Sequence, residues 1–336
     1  MATEDIAVIG AGSYGTCLAV LFGKLGHRVS LYSRNETLAH ELTTTRINRG
    51  YLPGHRLPAS VQITADLAQA VAGKRFVFGV TPSHGIREVL GRAGQAMDPD
   101  AIVINAAKGL EDGTMHTIDA VYRDVLPDRI AARATYLSGP TFASELAEGT
   151  PAAIVLAGRD PETTLAAQQA LSEISFRIYT TDDVLGVLIG GALKNVIAIA
   201  AGVSDGLGFG SNTRVALMTR GLAEITRIGV ALGAHAQTFA GLSGMGDLVL
   251  TCSGDASRNR QVGLALGQGK TMQDILIELK HVAEGVKTTR IAHQLAAKIG
   301  VDAPIIDAMN AIIHEGVPVR DAIMTMLSRP ARSERG

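Results

Sequence analysis

The chain has 336 residues, with 31 lysines and arginines against 32 aspartates and glutamates, and 46% of its residues are hydrophobic. That length and apolarity suit a folded chain with two cores rather than a disordered one, and the balanced charge excludes a surface built for nucleic acid or an anionic membrane, both of which need clustered positive charge. Cys17 and Cys252 are too few and too far apart for a disulfide framework or a metal cluster, and no basic leader or apolar stretch precedes Asp5, so the expectation is a cytoplasmic protein that binds small molecules and no metal.

From Asp5 to about Thr181, short β-branched runs alternate with longer helix-like stretches. This rhythm predicts strands at 6–9, 29–32, 61–64, 76–80, 102–105, 136–138, 153–156 and 176–179. The fold class is α/β, with an N-terminal Rossmann-type domain at 1–181 built on a parallel, doubly wound sheet. Beyond Asp182 the apolar residues recur every three or four positions, as in 215–232 and 305–313, so residues 182–336 are expected to form an all-helical domain. The run 184–203 is apolar enough to imitate a membrane span, but Lys194 and Asn195 at its centre and its many glycines indicate a buried helix without membrane insertion. The apolar face of 305–313 suits a homodimer interface as readily as a core. The tail 330–336 is expected to be a frayed, solvated end.

The first strand runs straight into Gly10-Ala11-Gly12-Ser13-Tyr14-Gly15 and then a helical stretch, which gives G-x-G-x-x-G the strand–turn–helix context that a dinucleotide site needs. Gly10 permits the tight turn, Gly12 lets the backbone approach a pyrophosphate, and Gly15 allows helix and strand to pack closely. Ser13 and Tyr14 then lie beside the phosphates; the alternative is a glycine-rich turn with no ligand. At the end of the second strand, Ser33-Arg34 stands where an acidic residue would select NAD. Arg34 is placed to pair with a 2′-phosphate and Ser33 to donate to it, so NADP is preferred, while Glu36 nearby leaves NAD usable. Read blandly, Arg34 is an ordinary surface charge.

Lys194 sits in a helix that is apolar almost all round, and burial of an unpaired ammonium costs several kcal/mol. Desolvation lowers a lysine from its unperturbed value of about 10.4, which suits it to exchange a proton near neutral pH, as carbonyl reduction requires. The competing reading is a lysine that reaches out to water at a helix bend. Lys108, after the fifth strand, and the loop with Gly139 and Thr141, after the sixth, stand at carboxyl strand ends, where ligands of doubly wound sheets bind. Asp247 lies in the glycine-bounded break Gly244-Met245-Gly246. Ser257, Arg258 and Asn259 open a helix and would receive a phosphate dianion, unless they are simple caps.

With these residues in view, the sequence resembles the bacterial NAD(P)-dependent glycerol-3-phosphate dehydrogenases over nearly its whole length. The strings that carry the likeness are GAGSYGT at 10–16, AKGLE at 107–111, SGPTFASELAEG at 138–149, GGALKNVIAIAAGVSDGLGFG at 190–210, GMGDLVLTC at 244–252, SRNR at 257–260 and VAEGVKTT at 282–289. The resemblance implies interconversion of dihydroxyacetone phosphate and sn-glycerol 3-phosphate, in the service of phospholipid synthesis, with Lys194 as proton acceptor and donor flanked by Lys108 and Asp247. It implies that Ser13, Tyr14, Arg34, Lys108, Ala143, Arg258, Val282 and Glu284 line the cofactor. Lys108, Gly139, Thr141, Lys194, Asp247, Ser257, Arg258 and Asn259 would line the glycerol phosphate. Two other readings stand beside it: a related hydroxy-acid or sugar-acid dehydrogenase with the same mid-helix lysine and asparagine, and a cofactor-binding sensor without turnover.

Overall fold

Runs rich in valine, isoleucine and phenylalanine form eight strands: β1 (Asp5–Ile9), β2 (Arg28–Tyr32), β3 (Val61–Thr64), β4 (Phe76–Gly79), β5 (Ile102–Asn105), β6 (Thr135–Ser138), β7 (Ala152–Gly158) and β8 (Phe176–Thr181). The computed structural model describes residues 2–278, 283–330 and 333. Val282 and, apart from Pro330 and Ser333, the expected frayed end at 330–336 lie outside the described residues. The chain divides into two compact units, Met1–Gly191 with Gln237–Asp247 and Ala192–Ala236 with Leu248–Gly336.

In the first unit the strands join in one sheet of order β3-β2-β1-β4-β5-β6-β7-β8. Alternate residues of β1 feed two cores: Ile6 and Val8 pack with Leu18, Phe22 and Phe78, whereas Ala7 and Ile9 pack with Leu90, Val103 and Tyr122. A sheet buried on both faces needs apolar residues at successive positions, which is why its strands read as continuous hydrophobic runs. The chain leaves β1 for β2 on one side while β4 pairs on the other, so the order reverses between β1 and β4, where such sheets bind ligands at their carboxyl ends.

All eight expected strands are present, but the sheet is not wholly parallel. β7 runs antiparallel to β6 and parallel to β8. The connection before β7 holds only the six-residue helix Ala143–Glu148. At 1.5 Å per residue that helix covers about 9 Å, shorter than a four-residue strand, so the connection is a brief one, at the lower limit of a parallel crossover, and the chain returns antiparallel.

In the second unit every described element is a helix. The helix Val184–Gly206, in which the division between units falls, is 94% buried over its most apolar window and is a core helix. Its latter half meets the helix Arg258–Gly267 backbone to backbone: a Cβ on Gly202 would lie 2.0 Å from the Arg260 carbonyl oxygen, and one on Gly263 would lie 1.9 Å from that of Ile199. Only glycine fits this seam, and the seam sets the start of the second helix beside the residues that follow Lys194.

Candidate active site

In the first unit, the helix Ser13–Lys24 starts from Gly12 in an extended conformation, and among the described residues no side chain caps its first-turn amides. A Cβ at Gly15 would sit 1.8 Å from the Gly10 carbonyl oxygen, and one at Gly10 would sit 2.9 Å from that of Val80. A Cβ at Gly12 would meet nothing within 4 Å. The chain itself therefore demands glycine at 10 and 15, whereas glycine at 12 keeps a clear approach to the free amides. Free N–H groups, a helix dipole and that clear approach fit the pyrophosphate of a dinucleotide. Beyond β2, the buried Ser33 hydroxyl donates to the Asn35 carbonyl at 3.1 Å and is held within its own turn. Arg34 is exposed and is the cation that faces outward there.

Five expected residues come together in one network. Lys108 Nζ donates to Asp247 Oδ2 at 2.5 Å and to the Gly139 carbonyl at 3.2 Å. Thr141 Oγ1, in the same loop as Gly139, donates to Tyr14 Oη at 3.2 Å. Asp247 is 1% exposed, so its charge needs the lysine beside it. Burial pushes the Tyr14 phenol well above its ordinary range, and it stays a neutral hydrogen-bonding group. Gly139 has φ +148°, a conformation that L side chains rarely adopt, and it turns the loop out of β6. Ala143 opens the short helix that follows. Asp247 is presented by the wide turn Leu242–Gly246, in which the Gly246 amide donates to the Gly241 carbonyl five residues back.

In the second unit, Lys194 is 6% exposed and its Nζ donates to Thr251 Oγ1 at 2.6 Å. Beside it, Asn195 Oδ1 accepts from Asn259 Nδ2 at 2.9 Å, and Asn259 Oδ1 accepts from the Gly285 amide at 2.9 Å. Asn259 thus ties the lysine's helix to the helix Glu284–Ile299, whose first residue is Glu284. Ser257 caps Arg258–Gly267, its Oγ accepting from the Arg260 amide at 3.3 Å, so the capping reading of this serine is realised. Arg258 is exposed on the first turn.

Two residues that pattern reasoning missed complete these groups. Thr251, the partner of Lys194, lies four positions after Asp247 on the helix Asp247–Ser253, a spacing that does signal one helix face. Asp205 receives Arg260 Nε at 2.9 Å and Arg214 Nε at 2.8 Å, and so fixes the helix start that carries Ser257 to Asn259. Nothing local in the sequence marks that carboxylate.

The chemistry available is therefore a capless helix start suited to a dinucleotide, a lysine–aspartate pair at carboxyl strand ends, and a buried lysine bonded to a hydroxyl. Residues 5–164 match the N-terminal family of NAD-dependent glycerol-3-phosphate dehydrogenase, and residues 183–324 match its C-terminal family. The chain is 49% identical to a glycerol-3-phosphate dehydrogenase (NAD(P)+) of Geobacter sulfurreducens, covering 99% of each, and 45% identical to one of Myxococcus xanthus, covering 98% of each. The crystal structure of glycerol-3-phosphate dehydrogenase from Coxiella burnetii superimposes with a TM-score of 0.92 at 34% identity, covering 97% of this chain and 99% of that one. The chain belongs to the NAD-dependent glycerol-3-phosphate dehydrogenase family.

Proposed function

We propose that the chain is an NAD(P)-dependent oxidoreductase that interconverts dihydroxyacetone phosphate and sn-glycerol 3-phosphate, with NADP preferred and NAD accepted. The observation that carries the reading is Lys194, held 6% exposed in an apolar helix with its ammonium donating to the Thr251 hydroxyl. Relatives at 49% identity that bear the enzyme's name support it. The functional division is residues 1–181 for the nucleotide and 182–336 for substrate and proton transfer.

When bound, a reduced nicotinamide supplies the hydride to the ketone carbon. Gly10, Gly12, Ser13, Tyr14 and Gly15 hold its pyrophosphate, Arg34 engages a 2′-phosphate, and Ala143, Arg258, Val282 and Glu284 complete the cofactor's surroundings. Lys194 gives its proton to the alkoxide that forms on the substrate and takes it back in the reverse direction, with Thr251 aiming the ammonium. Lys108 adds positive charge at the developing oxyanion, and Asp247 fixes Lys108. Gly139 and Thr141 bind substrate hydroxyls, and Ser257, Arg258 and Asn259 receive its phosphate.

The protein works in the cytoplasm, where its two buried cysteines stay reduced, and supplies glycerol phosphate for phospholipids. Its assembly is a homodimer. Loss of NADPH absorbance on addition of dihydroxyacetone phosphate, set beside carboxylate-bearing ketones, tests the reading. Faster oxidation with a carboxylate would replace it with a hydroxy-acid dehydrogenase, and no oxidation with any ketone would leave a sensor.

A further inference from the structure

The segment 46–57 has no part in the chemistry above, yet it is tied to the dinucleotide loop at three points. It leaves and rejoins the body of the first unit through a narrow neck. There the Leu57 amide donates to the Arg46 carbonyl at 2.8 Å, Ile47 pairs with Arg56, and Leu52 and Leu57 sink into the core at 3% and 2% exposure. Inside it, Asn48 is fully buried. Its Nδ2 donates to the Ala11 carbonyl at 2.9 Å and to Thr16 Oγ1 at 2.8 Å. Ser13 Oγ in turn donates to the Tyr51 carbonyl at 2.7 Å.

These contacts fall on Ala11, Ser13 and Thr16, which alternate with the three glycines. Three glycines in six residues leave a loop with many accessible conformations, and freezing one of them costs conformational entropy. A single planar amide that grips both the loop, at Ala11, and the helix it feeds, at Thr16, removes that freedom before any ligand arrives. Among the described residues, Asn48 Oδ1 has no hydrogen-bond partner. A buried carbonyl left unsatisfied lowers stability, so this asparagine is better explained by what its Nδ2 holds than by its contribution to the core.

We infer that Asn48 is a positioning residue for the cofactor: it pre-sets the Gly10–Gly15 loop so that its amides meet a dinucleotide pyrophosphate without reorganisation. The inference rests on the proposal that this loop binds NAD(P). Because the pyrophosphate is common to both cofactors, the effect is indifferent to the 2′-phosphate.

The test is titration of the full-length protein with NADPH and with NADH, read by the fluorescence of the reduced nicotinamide in a chain that contains no tryptophan, together with steady-state kinetics. Asn48→Ala raises Kd and KM for both cofactors by the same factor, about tenfold for two lost hydrogen bonds, while kcat at saturating cofactor and KM for dihydroxyacetone phosphate stay within about twofold. The near-isosteric Thr16→Val, which removes one of the two bonds, raises both Kd values about threefold and serves if Asn48→Ala does not fold. Unchanged Kd values, a loss confined to one cofactor, or a fall in kcat without a change in Kd overturns the inference. Absence of NADPH binding by the unaltered protein would instead overturn the proposed nucleotide site.

Discussion

Glu224 carries a charge where the fold offers it little water, and its titration should be visible in stability. It lies in the helix Ser211–Ala231, is 2% exposed, and its carboxylate accepts from the amides of Ile305 at 2.9 Å and Ile306 at 3.3 Å, at the start of the helix Pro304–His314. Burial pushes its pKa up from 4.5 to about 7; the two amides and Arg227 act in the opposite direction, and Asp307 adds to the rise. Between about pH 4.5 and 7 the folded chain keeps this proton while the unfolded chain releases it, so folding weakens as pH rises through that window. At 1.36 kcal/mol per unit the group accounts for about 3 kcal/mol between the two ends, with full stability below 4.5 and no further change above 7. Glu224→Gln keeps an acceptor for the amides and removes the proton. Urea unfolding followed by far-ultraviolet circular dichroism at pH 4.5, 6 and 7.5 should show the variant gaining about 3 kcal/mol on the parent across the range. A difference that is flat with pH, or that favours the parent at the higher pH, would refute the reasoning.

Arg34→Ala should raise KM for NADPH at least tenfold and leave KM for NADH within about twofold, since a guanidinium–phosphate pair is lost from one cofactor only; equal effects on both would remove Arg34 from the 2′-phosphate. The last two glycines of the loop should separate folding from binding. Gly12→Ala meets open space and should keep its melting temperature while losing most cofactor affinity, whereas Gly15→Ala places a methyl against the Gly10 carbonyl and should melt earlier. Thermal melts with and without NADPH measure both, and an undiminished affinity in Gly12→Ala would contradict the pyrophosphate placement.

The strands were legible because a sheet covered on both faces writes itself as unbroken apolar runs, and the helical half because its period of three to four changes the pattern at Asp182. The direction of β7 was not legible, because antiparallel pairing depends on how far a connection reaches, and β7 reads like its neighbours. Lys194 and Lys108 were readable for opposite reasons, one as a charge in an apolar helix and the other as a charge at a carboxyl strand end. Asn48 and Asp205 were not: the partners of Asn48 lie 32 and 37 positions away, those of Asp205 lie 9 and 55 away, and neither residue breaks a local pattern. Ser257 shows why two readings overlap: its hydroxyl is the helix cap, and the same position at a helix start is what suggests a donor to phosphate.

Lys194→Ala tests the central claim most directly, through single-turnover NADPH oxidation with dihydroxyacetone phosphate and a parallel NADPH titration. The account predicts a rate lower by about 10²–10⁴, the typical worth of a positioned general acid, with the NADPH Kd within about twofold of the parent. A variant that retains the parent's rate, or that loses rate and NADPH affinity in equal measure, would contradict it.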